Sequence, residues 1–459
     1  MRTKINHVTV VTMDGQFHVY ENGYVVLDGK TILETGEGDG PADVDETVNG
    51  KNGILMPGMI NTHCHIPMIP FRSLGDDCPD RLRRFLFPLE LEAMNRELIG
   101  QSTRYGVCEL LLSGVTSVLD MYYFEDQVAE ACKELGIRAY VGQTIIDMET
   151  CDSKNTDQSL AMCRELIEKW KGHERIRPVV APHATNTNPP EVLKAAYELA
   201  ERYDVPYTLH VSEMDYELEM FREKYGQTPA EFLYGLGVLG ERTIAAHCIH
   251  MTDRDVEIFR ETGAKIAHCI GSNTKSGKGV CPVRDLKAAG VAVGVGTDGP
   301  SSGNTLDLFH QFRMIPAFQR TRYHDRSIFT ARDVVAMGTI EGARVLGAEK
   351  ETGSIEPVSY THLKDGADLR YLLHVDDHHS PGGCLRLCVP AVSLSGGIHH
   401  QVQHCHRGIC GNLENSYKKM DAKSYKMMYN GSMNKKAENQ RRKLCIFKRI
   451  SDRTSSWSD

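Results

Sequence analysis

The stretch ILMPGMINTHCH, residues 54–65, begins the pattern that decides the fold. Its first half is a short apolar run without charges, as expected for a strand that is buried on both faces. Its second half places His63 and His65 two positions apart, so an extended backbone directs both rings to the same side. An isolated pair of this kind is often structural, and its meaning therefore depends on the rest of the chain.

Seven further apolar runs of the same kind follow, each short and rich in β-branched residues. Helical patterns such as EDQVAEACKELG separate them, with apolar residues three and four positions apart and a glycine at the end. Eight such units favour an α/β fold with a closed (β/α)8 barrel of the TIM type, at residues 57–356, over an open doubly wound sheet. The eight runs are ILMPGMI, VTSVLDM, IRAYVGQTI, IRPVVAPH, VPYTLHV, TIAAHCI, AKIAHCI and VAVGVGT.

Residues 1–56 have a different pattern. Stretches such as FHVYENGYVVLDGKTILETG and ETVNGKNGILM alternate around Gly and Asn turns, which indicates antiparallel hairpins. We predict that these residues form the N-terminal part of a small β-sandwich domain. Only fragments such as ADL and LHVDD suggest the strands that would complete this domain from the C-terminal side.

Residues 357–459 change in character again. They are rich in histidine and cysteine without a periodic pattern, and a basic run lies between Lys418 and Arg449. Such a composition is typical of a solvated, disordered tail. We hypothesise that this atypical C-terminal segment is either disordered or the product of a reading-frame disruption or chimeric join near Pro357.

The overall composition is that of a globular protein, with 41% hydrophobic and 25% charged residues. The net charge of −8 argues against a nucleic-acid partner. No run approaches the roughly 18 apolar residues of a membrane span, and the N-terminus lacks the apolar core of a signal peptide. Many of the 14 cysteines lie in apolar runs, which favours reduced thiols and a cytoplasmic location. We expect a small-molecule substrate and no membrane partner, and a homo-oligomer stays open.

Residues that suit a metal ion stand at the ends of several predicted strands. Barrels of this type take their catalytic groups from the carboxyl ends of the strands. Three imidazoles and one carboxylate suit an open site for one Zn²⁺ or Fe²⁺, which lowers the pKa of a bound water. Each residue alone has an ordinary structural explanation, such as turn formation by an aspartate before glycine, but four strand ends together favour a metal site. The residues are His63, His65, His210, His247 and Asp298.

Polar residues beside these ligands indicate hydrolytic chemistry. Glu213 follows His210 by three residues, is not needed as a ligand and is free to transfer protons. His247 is suited to hold the attacking water or the developing oxyanion. Asn273 follows the seventh predicted strand, where it either supports the site and its substrate or serves a turn.

The segments MPGMINTHCH, LHVSE, AAHCIH and GTDGPSSGN resemble the amidohydrolase superfamily in its deaminase and chlorohydrolase branch. Over residues 1–356 the likeness is greatest to the methylthioadenosine/S-adenosylhomocysteine deaminases, and the residues after about 356 do not match. The resemblance implies one divalent metal ion, Zn²⁺ or alternatively Fe²⁺. It also implies Glu213 as proton shuttle and His247 beside the reacting carbon. The implied ligands are His63, His65, His210 and Asp298.

The reaction implied by the resemblance is hydrolytic deamination of an amino-substituted, purine-like heterocycle of the adenosine type. Metal-activated water attacks the ring carbon that bears the amine, while Glu213 protonates the adjacent ring nitrogen and Asp298 passes a proton towards ammonia. Glu90, in FLFPLE, corresponds to a position that binds ribose hydroxyls, and His183, in APHA, to a substrate-contacting position. Together with Asn273 they form the predicted substrate-binding set.

Three alternatives stay open from the sequence. The first is a deaminase of guanine, cytosine or a pterin, and the second is a chlorohydrolase of the triazine type. The third is a metal-binding homologue with impaired catalysis. The metal site has the same appearance in all of these readings, so its residues do not separate them.

Overall fold

The computed structural model of the chain describes residues 1–78 and 80–357. The hypotheses about the segment after Pro357 fall outside the described residues. Of the described residues, Met1–Leu74 and residues 94–357 belong to one compact unit, whereas Gly75–Ala93 belongs to a second. The predicted boundary between residues 56 and 57 stays a prediction.

The N-terminal residues form a four-stranded sheet with the order β3-β2-β1-β4. The pairs β1–β2 and β2–β3 are antiparallel, as predicted, and a positive φ of 57° at Gly29 allows the tight turn between β2 and β3. The antiparallel prediction is wrong for ETVNGKNGILM, because β4 runs parallel to β1. The strands are β1 (Arg2–Val11), β2 (Val19–Asp28), β3 (Thr31–Glu37) and β4 (Glu46–Leu55).

The apolar face of this sheet includes a residue from the far end of the described chain. Ile355 is 2% exposed and packs in the same cluster as Val8, Val25 and Leu55. Its backbone N–H donates to the carbonyl of Thr12 at 2.7 Å. The chain therefore returns to the N-terminal sheet after the barrel has been completed.

The predicted barrel is confirmed: eight parallel strands close in the order β10-β11-β12-β5-β6-β7-β8-β9. Nearly all of their residues are buried, which explains why the sequence shows unbroken apolar runs in place of alternation. The strands are β5 (Met59–Cys64), β6 (Val115–Tyr122), β7 (Arg138–Ile145), β8 (Ile176–Pro182), β9 (Tyr207–Val211), β10 (Thr243–His247), β11 (Lys265–His268) and β12 (Val293–Val295).

The barrel closes where β12 meets β5, through the residue pair Val295–Asn61. β12 is three residues long, so few backbone hydrogen bonds are available at this junction. The Asn61 side chain adds two hydrogen bonds across it. Its Nδ2 donates to Oγ1 of Thr297 at 2.8 Å, and its Oδ1 accepts from the Thr297 backbone N–H at 3.1 Å.

Helices connect the strands and begin and end at the expected signals. Thr252 and Asp255 form a capping box at the start of α8, and Gly263 ends that helix with a φ of 71°. The helices are α1 (Phe87–Ala93), α2 (Arg96–Leu112), α3 (Glu125–Leu135), α4 (Thr156–Trp170), α5 (Pro190–Tyr203), α6 (Asp215–Tyr225), α7 (Pro229–Leu236), α8 (Asp253–Thr262), α9 (Ile270–Lys275), α10 (Val283–Ala288), α11 (Leu308–Tyr323), α12 (Ala331–Met337) and α13 (Ile340–Leu346). A 3₁₀ helix spans Ile66–Phe71 and a π-helical turn spans Leu82–Leu86.

Two expectations from composition can be compared with the described residues. Their cysteines are all free thiols, and Cys108, Cys132 and Cys163 are buried in the core, as predicted. Within residues 1–78 and 80–357, no helix has the length and hydrophobicity needed to cross a membrane.

Candidate active site

The structure brings the four predicted metal ligands together at the carboxyl ends of the strands. The ring centre of His63, in β5, lies 4.8 Å from that of His65 and 4.9 Å from that of His210 in β9. Nε2 of His65 is 3.2 Å from Oδ1 of Asp298, which follows β12. His247, at the end of β10, joins the cluster with its ring centre 5.6 Å from that of His63.

The donor set fits a divalent cation. His63 is completely buried, and neither of its ring nitrogens has a hydrogen-bond partner among the described residues. Buried polar groups without partners are rare and call for an explanation such as an ion. Ligand atoms of His63, His65 and Asp298 lie within 4.8 Å of one another. An imidazole-rich set with one carboxylate is the donor chemistry that Zn²⁺ and Fe²⁺ favour.

Hydrogen bonds to backbone carbonyls orient two of the imidazoles. Nδ1 of His65 donates to the carbonyl of Met121 at 2.6 Å. Nδ1 of His210 donates to the carbonyl of His183, also at 2.6 Å. Because a carbonyl can only accept, Nδ1 carries the proton in both rings and Nε2 is left for a metal ion.

The electrostatics of the cluster favour neutral imidazoles at His63 and His210 and an ionised carboxylate at Asp298. Burial and the neighbouring imidazoles hold the pKa of His63 and of His210 well below the ordinary value. Burial would lower the pKa of His65 too, but the hydrogen bond and charge of Asp298 raise it to about 9. Burial would raise the pKa of Asp298, but the contact with His65 holds it well below its usual range. The carboxylate therefore attracts positive charge to the cluster.

Residues at the ends of β9, β10 and β12 adopt a left-handed backbone conformation. The φ angle is 49° at Ser212, 71° at His247 and 60° at Asp298. Such conformations are strained for residues other than glycine, cost roughly 1–3 kcal/mol each and concentrate at functional sites. At these positions the chain turns sharply where β9, β10 and β12 end, next to the cluster.

Glu213 and His247 form the polar wall beside the cluster. Oε1 of Glu213 lies 3.6 Å from Nε2 of His247. Nδ1 of His247 pairs with Oδ1 of Asn273 at 2.8 Å, and the amide oxygen can only accept, so this nitrogen carries the proton. Asn273 is fully buried in α9 and holds the orientation of the His247 ring. Its direct contact with a substrate stays a prediction.

Lys278 is a member of this wall that the sequence did not single out. Its Nζ lies 2.5 Å from Oε1 of Glu213. Burial would raise the pKa of Glu213, but the charges of His247 and Lys278 outweigh it and lower that pKa to about 2. The segment SNTKSGKG contains two lysines, Lys275 and Lys278, and nothing in their spacing indicates which one reaches Glu213.

Glu217 is a second residue that the sequence did not reveal. It is 2% exposed and accepts hydrogen bonds from the backbone N–H of Glu213 at 2.9 Å and of Ser212 at 3.3 Å. The hydroxyl of Thr185 also donates to it. Glu217 thus fixes the turn between β9 and α6, which carries Glu213. The turn after β9 could be located from the sequence, but its bonding partners could not.

The remaining predicted substrate residues are placed differently. His183 follows β8, and its ring centre lies 4.8 Å from that of His210, so it borders the cluster. Burial and the charge of His65 lower its pKa to about 4. Glu90 is buried in α1, within the separate unit Gly75–Ala93. Contact of either residue with a substrate stays a prediction.

The fold and the site together define a barrel hydrolase whose polar groups converge at the carboxyl ends of the strands. The sequence profile described as the amidohydrolase family matches residues 54–360. The chain belongs to the amidohydrolase family, as predicted, and is an enzyme of that family. The match ends close to residue 356, where the predicted likeness also ends.

Several known proteins that are similar to this chain are named as deaminases of adenosine or its derivatives. A 5-methylthioadenosine/S-adenosylhomocysteine deaminase of Symbiobacterium thermophilum is 39% identical over 364 residues, which are 78% of this chain and 83% of the relative. A 5'-deoxyadenosine deaminase of Methanothermobacter thermautotrophicus is 35% identical, over 73% of this chain and 78% of the relative. The crystal structure of an adenosine deaminase from Xanthomonas campestris with bound zinc superimposes with a TM-score of 0.75 at 31% identity. That comparison covers 78% of this chain and 83% of the other.

Proposed function

We propose that the protein is a metal-dependent hydrolytic deaminase of an amino-substituted, purine-like heterocycle of the adenosine type, such as methylthioadenosine or S-adenosylhomocysteine. The single observation that carries this proposal is the convergence of four candidate metal-ligand side chains, each at most about one tenth exposed, with Glu213 and His247 at one end of the barrel. The names of the similar proteins support the adenosine-type ring as the first candidate.

One divalent ion, Zn²⁺ in the first instance and Fe²⁺ as the alternative, suits the site. Zinc is named in the description of the similar adenosine deaminase structure. When bound, such an ion lowers the pKa of water so that hydroxide is available near neutral pH. The side chains that would hold it are His63, His65, His210 and Asp298.

The protein's own residues divide the proton transfers between them. One proton of the attacking water passes through Glu213 to the ring nitrogen next to the attacked carbon. Asp298 takes the other proton and delivers it to the departing amine. A carbon–oxygen bond forms, the carbon–nitrogen bond breaks, and the products are the oxo ring and ammonia. In its doubly protonated form, His247 donates from Nε2 to the oxygen as it gains charge, while Asn273 accepts from Nδ1–H and holds the ring in place.

Three further residues are proposed to bind the substrate. His183 borders the cluster and is placed to contact the ring, whereas Glu90 is proposed to bind ribose hydroxyls, for which a carboxylate is a suitable double acceptor. Asn273 contributes through His247 and is proposed to complete the substrate-binding set. A cytoplasmic location and the absence of nucleic-acid and membrane partners stay predictions, and a homo-oligomer stays open.

The test is a turnover screen on metal-loaded protein. We expect ammonia release from methylthioadenosine, S-adenosylhomocysteine or adenosine. Ammonia release from guanine, cytosine or a pterin alone would show that this ring, and not the adenosine-type ring, is the substrate. Chloride release from a chlorinated triazine, without ammonia from any aminated ring, would contradict the deaminase. Binding of zinc without any turnover would support the impaired homologue.

A further inference from the structure

Lys278 occupies an unusual position for a lysine. Its side chain is 16% exposed, and its Nζ lies 2.5 Å from Oε1 of Glu213, whose side chain is 18% exposed. The backbone N–H of Lys278 donates to the carbonyl of Asn273 at 2.9 Å, which ties the lysine to α9. A largely buried ammonium group is thus fixed next to the carboxylate that we assign to proton transfer.

The ammonium group has more donors than the described residues use. It carries three N–H bonds, one of which serves Glu213. Among residues 1–78 and 80–357, no other acceptor lies within hydrogen-bond distance of this nitrogen. Because 16% of the side chain is exposed, these donors are accessible to a ligand, and an acceptor oxygen at this point would form a charge-assisted hydrogen bond.

The position of that acceptor on the ring follows from the role of Glu213. Glu213 is proposed to serve the ring nitrogen next to the attacked carbon, and Lys278 touches the same carboxylate. An acceptor within reach of both groups lies on the next atom of the same ring edge. In adenine this atom is a carbon that bears only hydrogen, whereas in the 2-oxo derivative it carries an oxygen.

We propose that Lys278 is a specificity-determining residue, which binds an oxygen on the ring carbon beside the nitrogen that Glu213 serves. The favoured substrates are therefore amino-heterocycles with an oxo group at that carbon, such as the 2-oxo derivative of an adenosine-type ring. This inference rests on the proposed deaminase function and specifies which class of ring is the preferred substrate.

The experiment compares two nucleosides that differ only in this oxygen: adenosine and 2-oxoadenosine (isoguanosine). In metal-loaded wild type we expect kcat/KM to be higher for 2-oxoadenosine by about tenfold or more, because a site built around a polar partner discriminates against a substrate that lacks it. In K278M the ratio of the two kcat/KM values falls to near one or below. An equal ratio in wild type and K278M would overturn the assignment.

The matched control is K275M, in the same segment. Nζ of Lys275 lies 3.3 Å from Oδ1 of Asn304, away from Glu213, so the ratio is expected to equal that of wild type. A change in ratio as large as that in K278M would show that charge anywhere in the segment is sufficient, and would overturn the specific contact. Melting temperatures of both variants verify that they are folded.

A binding measurement separates this inference from the proposed function. Inosine and xanthosine, the two deamination products, differ in the same oxygen and need no turnover. We expect wild type to bind xanthosine at least about tenfold more tightly than inosine, and K278M to lose this difference. If neither nucleoside is deaminated but the binding difference is present and depends on Lys278, the deaminase function fails and the contact stands. If the binding difference is absent, the contact fails whether or not turnover occurs.

Discussion

At the scale of single residues, Glu213 has the strongest claim to a chemical role. It is partly buried between an imidazole and an ammonium group, and its backbone is fixed by Glu217. We expect E213Q to lower kcat/KM by about 10²–10⁴-fold, the usual contribution of a positioned acid–base group. The measurement is ammonia release at saturating metal, with metal content determined in parallel.

The control for this variant is E219Q, since Glu219 is an exposed glutamate on α6. We expect its turnover and metal content to match those of wild type. Full turnover by E213Q at normal metal content would show that proton transfer takes another route.

Asn273 gives a second residue-scale prediction, because it acts through His247. Replacing its amide by an apolar side chain, as in N273L, leaves Nδ1 of His247 without the acceptor that lies at 2.8 Å. We expect kcat to fall about 10–100-fold, the common effect of removing a group that orients a catalytic imidazole, with a smaller change in KM. N273D retains an acceptor oxygen and is expected to recover part of the rate. A loss in N273L that appears entirely in KM would argue for direct substrate binding instead.

The convergence of the metal-ligand candidates could be predicted from the sequence, but the composition of the polar wall could be predicted only in part. His63, His65, His210 and Asp298 could be recognised because each stands at the end of an apolar run, and all strand ends of a closed parallel barrel meet at one mouth. Lys278 could not, because its contact joins two loops 65 positions apart in the chain. No local periodicity records a contact between loops.

At the scale of elements, the turn from β9 to α6 depends on a buried carboxyl. Burial raises the pKa of Glu217 to about 7, although hydrogen bonds from Thr185 and from the turn oppose the shift. The pKa of this carboxyl in the unfolded chain is near 4.5. Between pH 4.5 and pH 7 the folded state therefore binds the proton more tightly than the unfolded state does. Stability is therefore lost as the pH rises from about 4.5 to about 7, by up to about 3 kcal/mol.

We expect this loss to disappear in E217Q. The amide cannot ionise, so the difference in stability between E217Q and wild type should shift in favour of the variant between pH 5 and pH 7.5. Urea denaturation midpoints at the two pH values measure it, with E219Q as the exposed control. Parallel pH dependence in E217Q and wild type would mean that Glu217 is ionised throughout this range.

The strands show what local pattern can and cannot predict. Each of the eight apolar runs contains residues of a barrel strand, because a strand covered on both faces must be apolar throughout, although ILMPGMI begins with the last two residues of β4. The parallel pairing of β4 with β1 was missed, because Gly and Asn turns indicate where a chain reverses but not which strand it will join. The partners of the returning residue Ile355 could not be identified from the sequence either, since they lie 300 or more positions earlier in the chain.

At the scale of the whole molecule, the proposed metal site joins distant parts of the chain. Its candidate ligands come from β5 and the residue after it, from β9 and from the loop after β12. An ion that binds only the folded state therefore stabilises the entire barrel. We expect the melting temperature of metal-depleted protein to rise when Zn²⁺ is added and to fall again with a chelator. The shift should be much smaller in H210A, which removes one ligand.

H310A is the control, because His310 is exposed on α11. We expect its metal-dependent shift to equal that of wild type. Calorimetric titration of the depleted protein gives the number of ions bound, which we expect to be one. An unchanged shift in H210A would place the stabilising ion elsewhere.

The junction of β12 with β5 has a consequence for how the enzyme is made. Translation supplies Asn61, His63 and His65 early, but their partners Thr297 and Asp298 emerge only after most of the barrel has left the ribosome. A nascent chain that stops short of them lacks the side-chain hydrogen bonds across the junction of β12 with β5 and the carboxylate of the proposed metal site. Competence for hydrolysis is therefore acquired late in synthesis, and a chain truncated before residue 297 would be inert.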